Sequence, residues 1–224
     1  MYLGIDGCRA GWVVANIDEE KKLSHRVIAS LQALKDDACQ LALIDIPLDF
    51  AEQTYRPCEI EAQKLLGSAK RASIFLTPHR QAVFATSYPE ANRLNRLYLG
   101  KGLSVQSWNI CGKIKEAIGF IGIFPAFPLC KAHPELSFYF LNNRRSLLSK
   151  KANKEGAAER LEIISRCGNN YPEVIGETLR NTKRKDVKMD DIIDATILAI
   201  RAAASDIKAV PAGKSKGDRA AILY

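Results

Sequence analysis

Apolar and polar positions alternate over Tyr2-Leu-Gly-Ile-Asp-Gly-Cys8 as in a strand and resume over Trp12–Ile17, after a turn that Gly7 and Gly11 permit. Leu3 and Ile5, set among smaller neighbours, predict that the first strand is half-buried. A third strand is expected near His25–Ala29, followed by a helix that Ser30 caps, with Leu31, Leu34, Ala38 and Leu41 at helical spacing. The apolar run Leu41–Pro47 reads as a buried strand that Pro47 stops. From Leu48 to Phe120 the pattern turns helical, with Pro57 and Gly67 bracketing one helix and Pro89 and Gly100 another, which predicts a helical insertion over residues 48–120. Phe127–Glu135 reads as extended, because Pro134 steers His133 away from helix, and an apolar segment, Leu136–Leu141, follows. An amphipathic helix is expected over Ala157–Cys167, stopped by Gly168. A basic loop then feeds a last long helix, Asp190–Ala204, with Asp190 as its cap. The tail, Ser205–Arg219, is rich in Gly, Lys and Ser and reads as flexible, with Ala220–Tyr224 as an edge strand.

This order of elements is that of a ribonuclease H-like α/β domain: a mixed sheet of three antiparallel strands and then parallel ones, flanked by helices. In that architecture acids of the first strand, the fourth strand and the last helix meet at one end of the sheet. Asp6, Asp45, Asp191 and Asp194 stand at such positions, and the last two, three residues apart, share a helix face. An ionised Asp6 at mid-sheet depth, with no Lys or Arg on its strand, is costly unless a metal or polar site receives it. The plainer alternative is an acid that caps the turn, since Asp-Gly is a common turn pair. Glu135 is a further acid at an element boundary, and equally a first-turn helix glutamate after proline. Oxygen ligands suit hard cations, and two such ions about 4 Å apart can clamp the attacking and leaving oxygens of a phosphodiester, so Mg²⁺ or Mn²⁺ is the expected cofactor. No Ser-His-Asp or Cys-His arrangement is visible, and such chemistry needs none.

Composition adds limits and a partner. The 224 residues, 47% of them hydrophobic, suffice for one sizeable core, and no apolar run reaches the length of a membrane span. The chain opens directly on a strand, leaving no room for a signal peptide, and its six cysteines include no C-x-x-C pair, which together lead to an expected cytoplasmic location. His25, His79 and His133 are scattered, unlike zinc ligands. Of the net charge of +8, the segment Asn142–Lys188 carries most, with 12 Lys/Arg against 6 Asp/Glu. Arg144-Arg145, Lys150-Lys151, and Arg180 with Lys183-Arg184-Lys185 suit a polyanion, nucleic acid first, or else form a solvated surface.

Gly4–Trp12, Ile44-Asp-Ile-Pro47, Arg56-Pro-Cys58, Ser104-x-Gln106, His133-Pro-Glu135, Gly156-x-x-x-Arg160 and Asp190-Asp-Ile-Ile-Asp-Ala195 follow in order the pattern of a known family. From Tyr2 to Tyr224 the chain resembles the domain-of-unknown-function family 429, described as predicted nucleases of ribonuclease H-like fold. Asp191 and Asp194 are also similar to the last-helix acids of Holliday-junction resolvases, with Asp6 at the first-strand acid and Asp45 where the resolvase carries Glu. The resemblance implies a metal-dependent nuclease in which Asp6, Asp45, Asp191 and Asp194 hold Mg²⁺ or Mn²⁺. Glu135 would complete the site or orient its water, and Lys151 or Arg160 would neutralise the scissile phosphate. Lys150, Lys183, Arg184 and Lys185 would then bind the nucleic acid. Two other classes remain open: a non-catalytic binding or scaffold protein of the same fold, and an actin-like phosphotransferase, which needs a second such hairpin domain.

Overall fold

The hairpin that opens the chain pairs β1 (Tyr2–Cys8) with β2 (Gly11–Ile17) antiparallel, placing Asp6 opposite Val13. Gly11 is required at the turn: its φ is +131°, and a Cβ there would meet the Ile28 carbonyl oxygen at 2.2 Å. The structure is a computed structural model that describes residues 1–151 and 153–224. β3 (Leu23–Ile28) continues the antiparallel meander, β4 (Leu41–Ile44) lies parallel to β1, and β5 (Leu129–Lys131) lies parallel to β4. The sheet order is β3-β2-β1-β4-β5, three antiparallel strands and then parallel ones, consistent with a ribonuclease H-like arrangement.

Between β4 and β5 the chain forms α1 (Pro57–Lys70), α2 (Arg80–Phe84), α3 (Tyr88–Leu99), α4 (Val105–Asn109) and α5 (Cys111–Ile123). Gly67, with φ of 65°, bends α1, and Gly100, left-handed at φ of 72°, ends α3. After β5 come α6 (Pro134–Leu141), α7 (Lys154–Ser165), α8 (Tyr171–Asn181) and α9 (Met189–Ala202), then a small sheet of β6 (Ala209–Val210) and β7 (Ile222–Leu223). No helix among the described residues is long and apolar enough to cross a membrane.

Four expectations are corrected. The helix foreseen after Ser30 is a single 3-10 turn, Leu31–Leu34, because Leu41, its last apolar position, instead pairs with Tyr2 as the first residue of β4. The loop expected before the last helix contains α8, whose Tyr171 and Ile175 are buried against α9. Asp190 is not the cap of α9: Asp191 reaches back to accept from the Lys188 N–H at 2.9 Å. The tail expected to be flexible includes β6 and is tied down at its end, where the Arg56 guanidinium donates to the Arg219 carbonyl and Arg201 to that of Tyr224.

Both faces of the sheet are covered, so β1 is buried on both sides rather than one. Leu3, Ile5, Trp12, Val14 and Ile44 face the insertion and pack with Ile114, Ala117 and Phe120 of α5. Val13, Ala15 and Ile17 face the other way, toward Ile192, Ala195 and Ala199 of α9. Gly4 decides how close α9 comes. A Cβ at Gly4 would fall 2.0 Å from the Ala195 carbonyl oxygen and 2.2 Å from the Ala199 nitrogen, so the helix rests directly on the strand backbone. Asp6 lies two residues on and therefore on the same face. The contact that seats α9 on β1 thus also brings the first turns of α9 beside Asp6.

Candidate functional site

Asp6, Asp45, Asp191 and Asp194 line one cleft of about 370 Å³, together with Glu135, Lys70, Lys113, Lys131 and Lys151. Asp6 comes from the carboxyl half of β1 and Asp45 follows β4 directly, its N–H donating to the Ile5 carbonyl at 3.1 Å. Parallel pairing of these two strands sets the two acids side by side at one end of the sheet. Asp191 and Asp194 come from the start of α9. Asp6 and Asp194 are buried, Asp45 and Asp191 partly so.

The electrostatics follow from that crowding. Burial pushes the Asp6 carboxyl well above the ordinary carboxylate range, and the charges of Asp194, Asp45 and Asp191 push it the same way, against Lys151. Burial likewise raises Asp194, to about 6, although Lys151 opposes it as an ion pair of 2.8 Å, Nζ to Oδ2. Asp191 is raised by burial and partly held down by the Lys188 N–H that it accepts. Among the described residues no hydrogen-bond donor reaches the Asp6 carboxylate. No three His, Cys, Asp or Glu side chains among them converge tightly enough, as placed, to hold an ion.

A family model described as a protein of unknown function, DUF429, matches residues 4–213. The chain belongs to this family. Comparison with curated proteins and with solved structures finds no match.

In this DUF429 chain two of the expected site residues serve the interior. Arg160 is 1% exposed, donates to Glu135 and to the Gly156 carbonyl at 3.0 Å, and stacks over Phe138. It is an internal counter-ion and has no face left for a phosphate. Glu135 does line the cleft, but as a first-turn residue of α6 it is held by Arg160 and lies 4.0 Å from Lys70. His133 is the N-cap of α6: its Nδ1 accepts from the Glu135 N–H, and its Nε2 faces the Ser73 carbonyl at 3.2 Å. Lys150, Lys183, Arg184 and Lys185 are exposed and do not line the cleft. The segment carrying the last three is nonetheless fixed at the same end of the sheet, since the Asp186 carbonyl accepts from the Ala10 N–H of the β1–β2 turn.

Lys70, Lys113 and Lys131 were not foreseen in the cleft. Lys131 pairs at 2.7 Å with Glu59, and Lys113 donates to the Gly11 carbonyl and lies over the Trp12 ring. A Lys at Gly7's side was unreadable from spacing, since Lys113 arrives from the insertion, yet Gly7 leaves the room its stem occupies. The exposed Phe75 adds an aromatic wall. What remains for chemistry is a set of hard oxygen donors, Asp6, Asp45 and Asp194, in one cleft with an ammonium.

Proposed function

We propose that this chain is a divalent-cation-dependent nuclease that hydrolyses phosphodiester bonds of nucleic acid at the Asp6 cleft. The observation that carries this reading is the convergence of Asp6, Asp45, Asp191 and Asp194 from β1, the end of β4 and α9 on one cleft, where Asp6 is buried with acids of its own sign beside it. A site of that kind is stabilised by a bound dication, and its all-oxygen donors match Mg²⁺ or Mn²⁺. Asp6, Asp45 and Asp194 would hold the ion, with Asp191 at the edge, one of its oxygens already engaged by the helix cap. When bound, the cation supplies a water of lowered pKa and charge stabilisation for the phosphoryl oxygens.

The chain's own residues do the rest. Ile46, Pro47, Ile74 and Pro134 line the cleft beside the acids and limit water around the reacting group. Lys113, held at Gly11, presents a cation to a phosphate in the cleft. Lys150 and the exposed run Lys183-Arg184-Lys185 would track the polyanion by sequence-independent phosphate contacts.

The test is a panel of single strands, duplexes, hybrids and four-way junctions, incubated with Mn²⁺ or with EDTA. Cutting that needs Mn²⁺ and disappears in Asp6→Asn is expected. A panel left intact by wild type while Mn²⁺ still binds would remove nucleic acid as the substrate. One observation favours a second reading, a non-catalytic protein of the same fold: the Lys151–Asp194 pair already neutralises a buried acid. On that reading Mn²⁺ leaves stability unchanged.

A further inference from the structure

We propose that the cleft takes an unpaired nucleic-acid strand and that Phe75 stacks on the face of one of its bases. This rests on the nucleic-acid reading of the same cleft and names the form of its substrate.

The cleft has two unlike walls. Asp6 faces α9 and Asp194 belongs to α9, so the acids stand on that side. Lys131 pairs in register with Ile44, which faces the insertion, while Cys130 before it packs with Leu198 of α9, so Lys131 faces the insertion as well. Lys113 comes from α5, and Ile74 and Phe75 from the segment that follows α1. The wall opposite the acids is therefore cationic and apolar, as a phosphate carrying a flat base requires.

Phe75 is the exposed member of a fixed segment. The Ser73 carbonyl faces His133 Nε2 at 3.2 Å, and the Ile74 carbonyl accepts from the Gln63 amide at 3.0 Å with its own side chain buried. Two residues on, the Thr77 N–H donates at 2.7 Å to Glu59, which Lys131 holds from β5. Phe75 between them is 41% exposed and lines the cleft, whereas Phe84, more exposed at 58%, lines no part of it. A ring held by its neighbours loses little freedom when a flat group stacks on it, and every nucleobase offers such a face.

Depth decides between a single strand and a duplex. Asp6 and Asp194 are 9% and 2% exposed in a cleft of about 370 Å³, a size that suits a small organic group. A base brought to Phe75 has to enter this space beside its own phosphate. In a duplex both faces of a base are covered by its neighbours, so it cannot stack on Phe75 without first leaving the helix. The surroundings favour a polymer over a free nucleotide. Arg9 of the β1–β2 turn is exposed, as is the Lys183–Lys185 run tied to that turn through Ala10 and Asp186, and both offer phosphate contacts beyond the cleft.

The experiment measures binding of labelled single-stranded DNA, single-stranded RNA and the duplex of each by fluorescence anisotropy, with Ca²⁺ in place of Mn²⁺ so that binding is read apart from cutting. The proteins are wild type, Phe75→Ala, Phe75→Leu and Phe75→Trp, each checked by circular dichroism melting, and cutting of the same substrates with Mn²⁺ is followed beside it. Wild type should bind a strand of DNA or RNA more tightly than the matching duplex. Phe75→Ala and Phe75→Leu should weaken strand binding about 5- to 150-fold and leave duplex binding unchanged. Phe75→Trp should retain strand binding, with its added indole fluorescence quenched by the strand. Duplex bound as tightly as strand, or strand bound equally by wild type and Phe75→Ala, overturns the inference, and cutting with Mn²⁺ then keeps the nuclease reading. Strand binding that depends on Phe75 but brings no cutting keeps the inference and removes the hydrolysis. Neither binding nor cutting of any of these overturns both.

Discussion

Glu59 and Asp6 are both buried carboxylates, one paired with a lysine that lines the cleft and the other lining it, and their surroundings treat them in opposite ways. Glu59 on α1 is fully buried, pairs with Lys131 at 2.7 Å, and accepts from the Thr77 N–H at 2.7 Å as well as from its hydroxyl. Burial alone would raise its pKa, but Lys131 and the two Thr77 donors outweigh it and hold the carboxyl below its usual range. Asp6 has burial without such donors, and its nearest charges are mostly of its own sign. The first arrangement is complete and holds α1 against β5. The second has no such partners, and the proposed function supplies the missing one as a cation. A buried acid is therefore informative about function through its partners and not through its burial.

Removing each acid should separate the two most strongly. Glu59→Ala leaves the Lys131 ammonium buried and unpaired and should cost about 3–5 kcal/mol in urea unfolding. Asp6→Asn relieves repulsion and should leave stability within about 1 kcal/mol, or raise it, while abolishing cleavage. A large loss of stability for Asp6→Asn would erase the contrast.

Gly4→Ala sharpens it from the side of the helix. The added methyl collides with the α9 backbone and should cost about 2 kcal/mol or more, and by shifting Asp194 relative to Asp6 it should weaken Mn²⁺ binding while the Glu59 cluster stays intact. Binding of Mn²⁺ at wild-type affinity would show that the approach of α9 does not set the site.

Acid titration of stability gives a third comparison. The folded pKa of Glu59 lies below its unfolded value, so its contribution is present above about pH 4.3 and is lost as pH falls through the folded pKa. Glu59→Gln should flatten the acid limb of a stability–pH curve measured by denaturant, and Asp6→Asn should not flatten it. The smallest structural effect belongs to the surface: Lys183→Ala, Arg184→Ala and Lys185→Ala together should stay within about 0.5 kcal/mol each in stability, yet lower the salt slope of nucleic-acid binding by about 2–3. An unchanged slope would move the polyanion surface elsewhere.

Much of this was legible in the chain. Alternation and turn glycines announced the β1–β2 hairpin, the apolar run announced β4, and the placement of Asp6, Asp45, Asp191 and Asp194 on those elements and on α9 was readable from topology. Local pattern failed where tertiary pairing overruled it. Leu31 and Leu34 suit a helix, but Leu41 is worth more as a partner of Tyr2, so the helix stops at one turn. α8 is poorly marked in the chain because only Tyr171 and Ile175 of its residues are buried, while Arg180 and the basic run after it are exposed and suit a loop equally well. Charge partners were the least readable of all. Nothing in local spacing assigns Lys131 to Glu59, Arg160 to Glu135 or Lys151 to Asp194, since each pair is closed by packing between distant elements.

The contrast between a completed and an uncompleted acid is tested most directly by melting the protein with and without Mn²⁺ in wild type and Asp6→Asn. Mn²⁺ should raise the melting temperature of wild type, by an increment that grows with its concentration, and leave Asp6→Asn unmoved. Equal increments in the two proteins, or none in wild type, would contradict a cation site at Asp6.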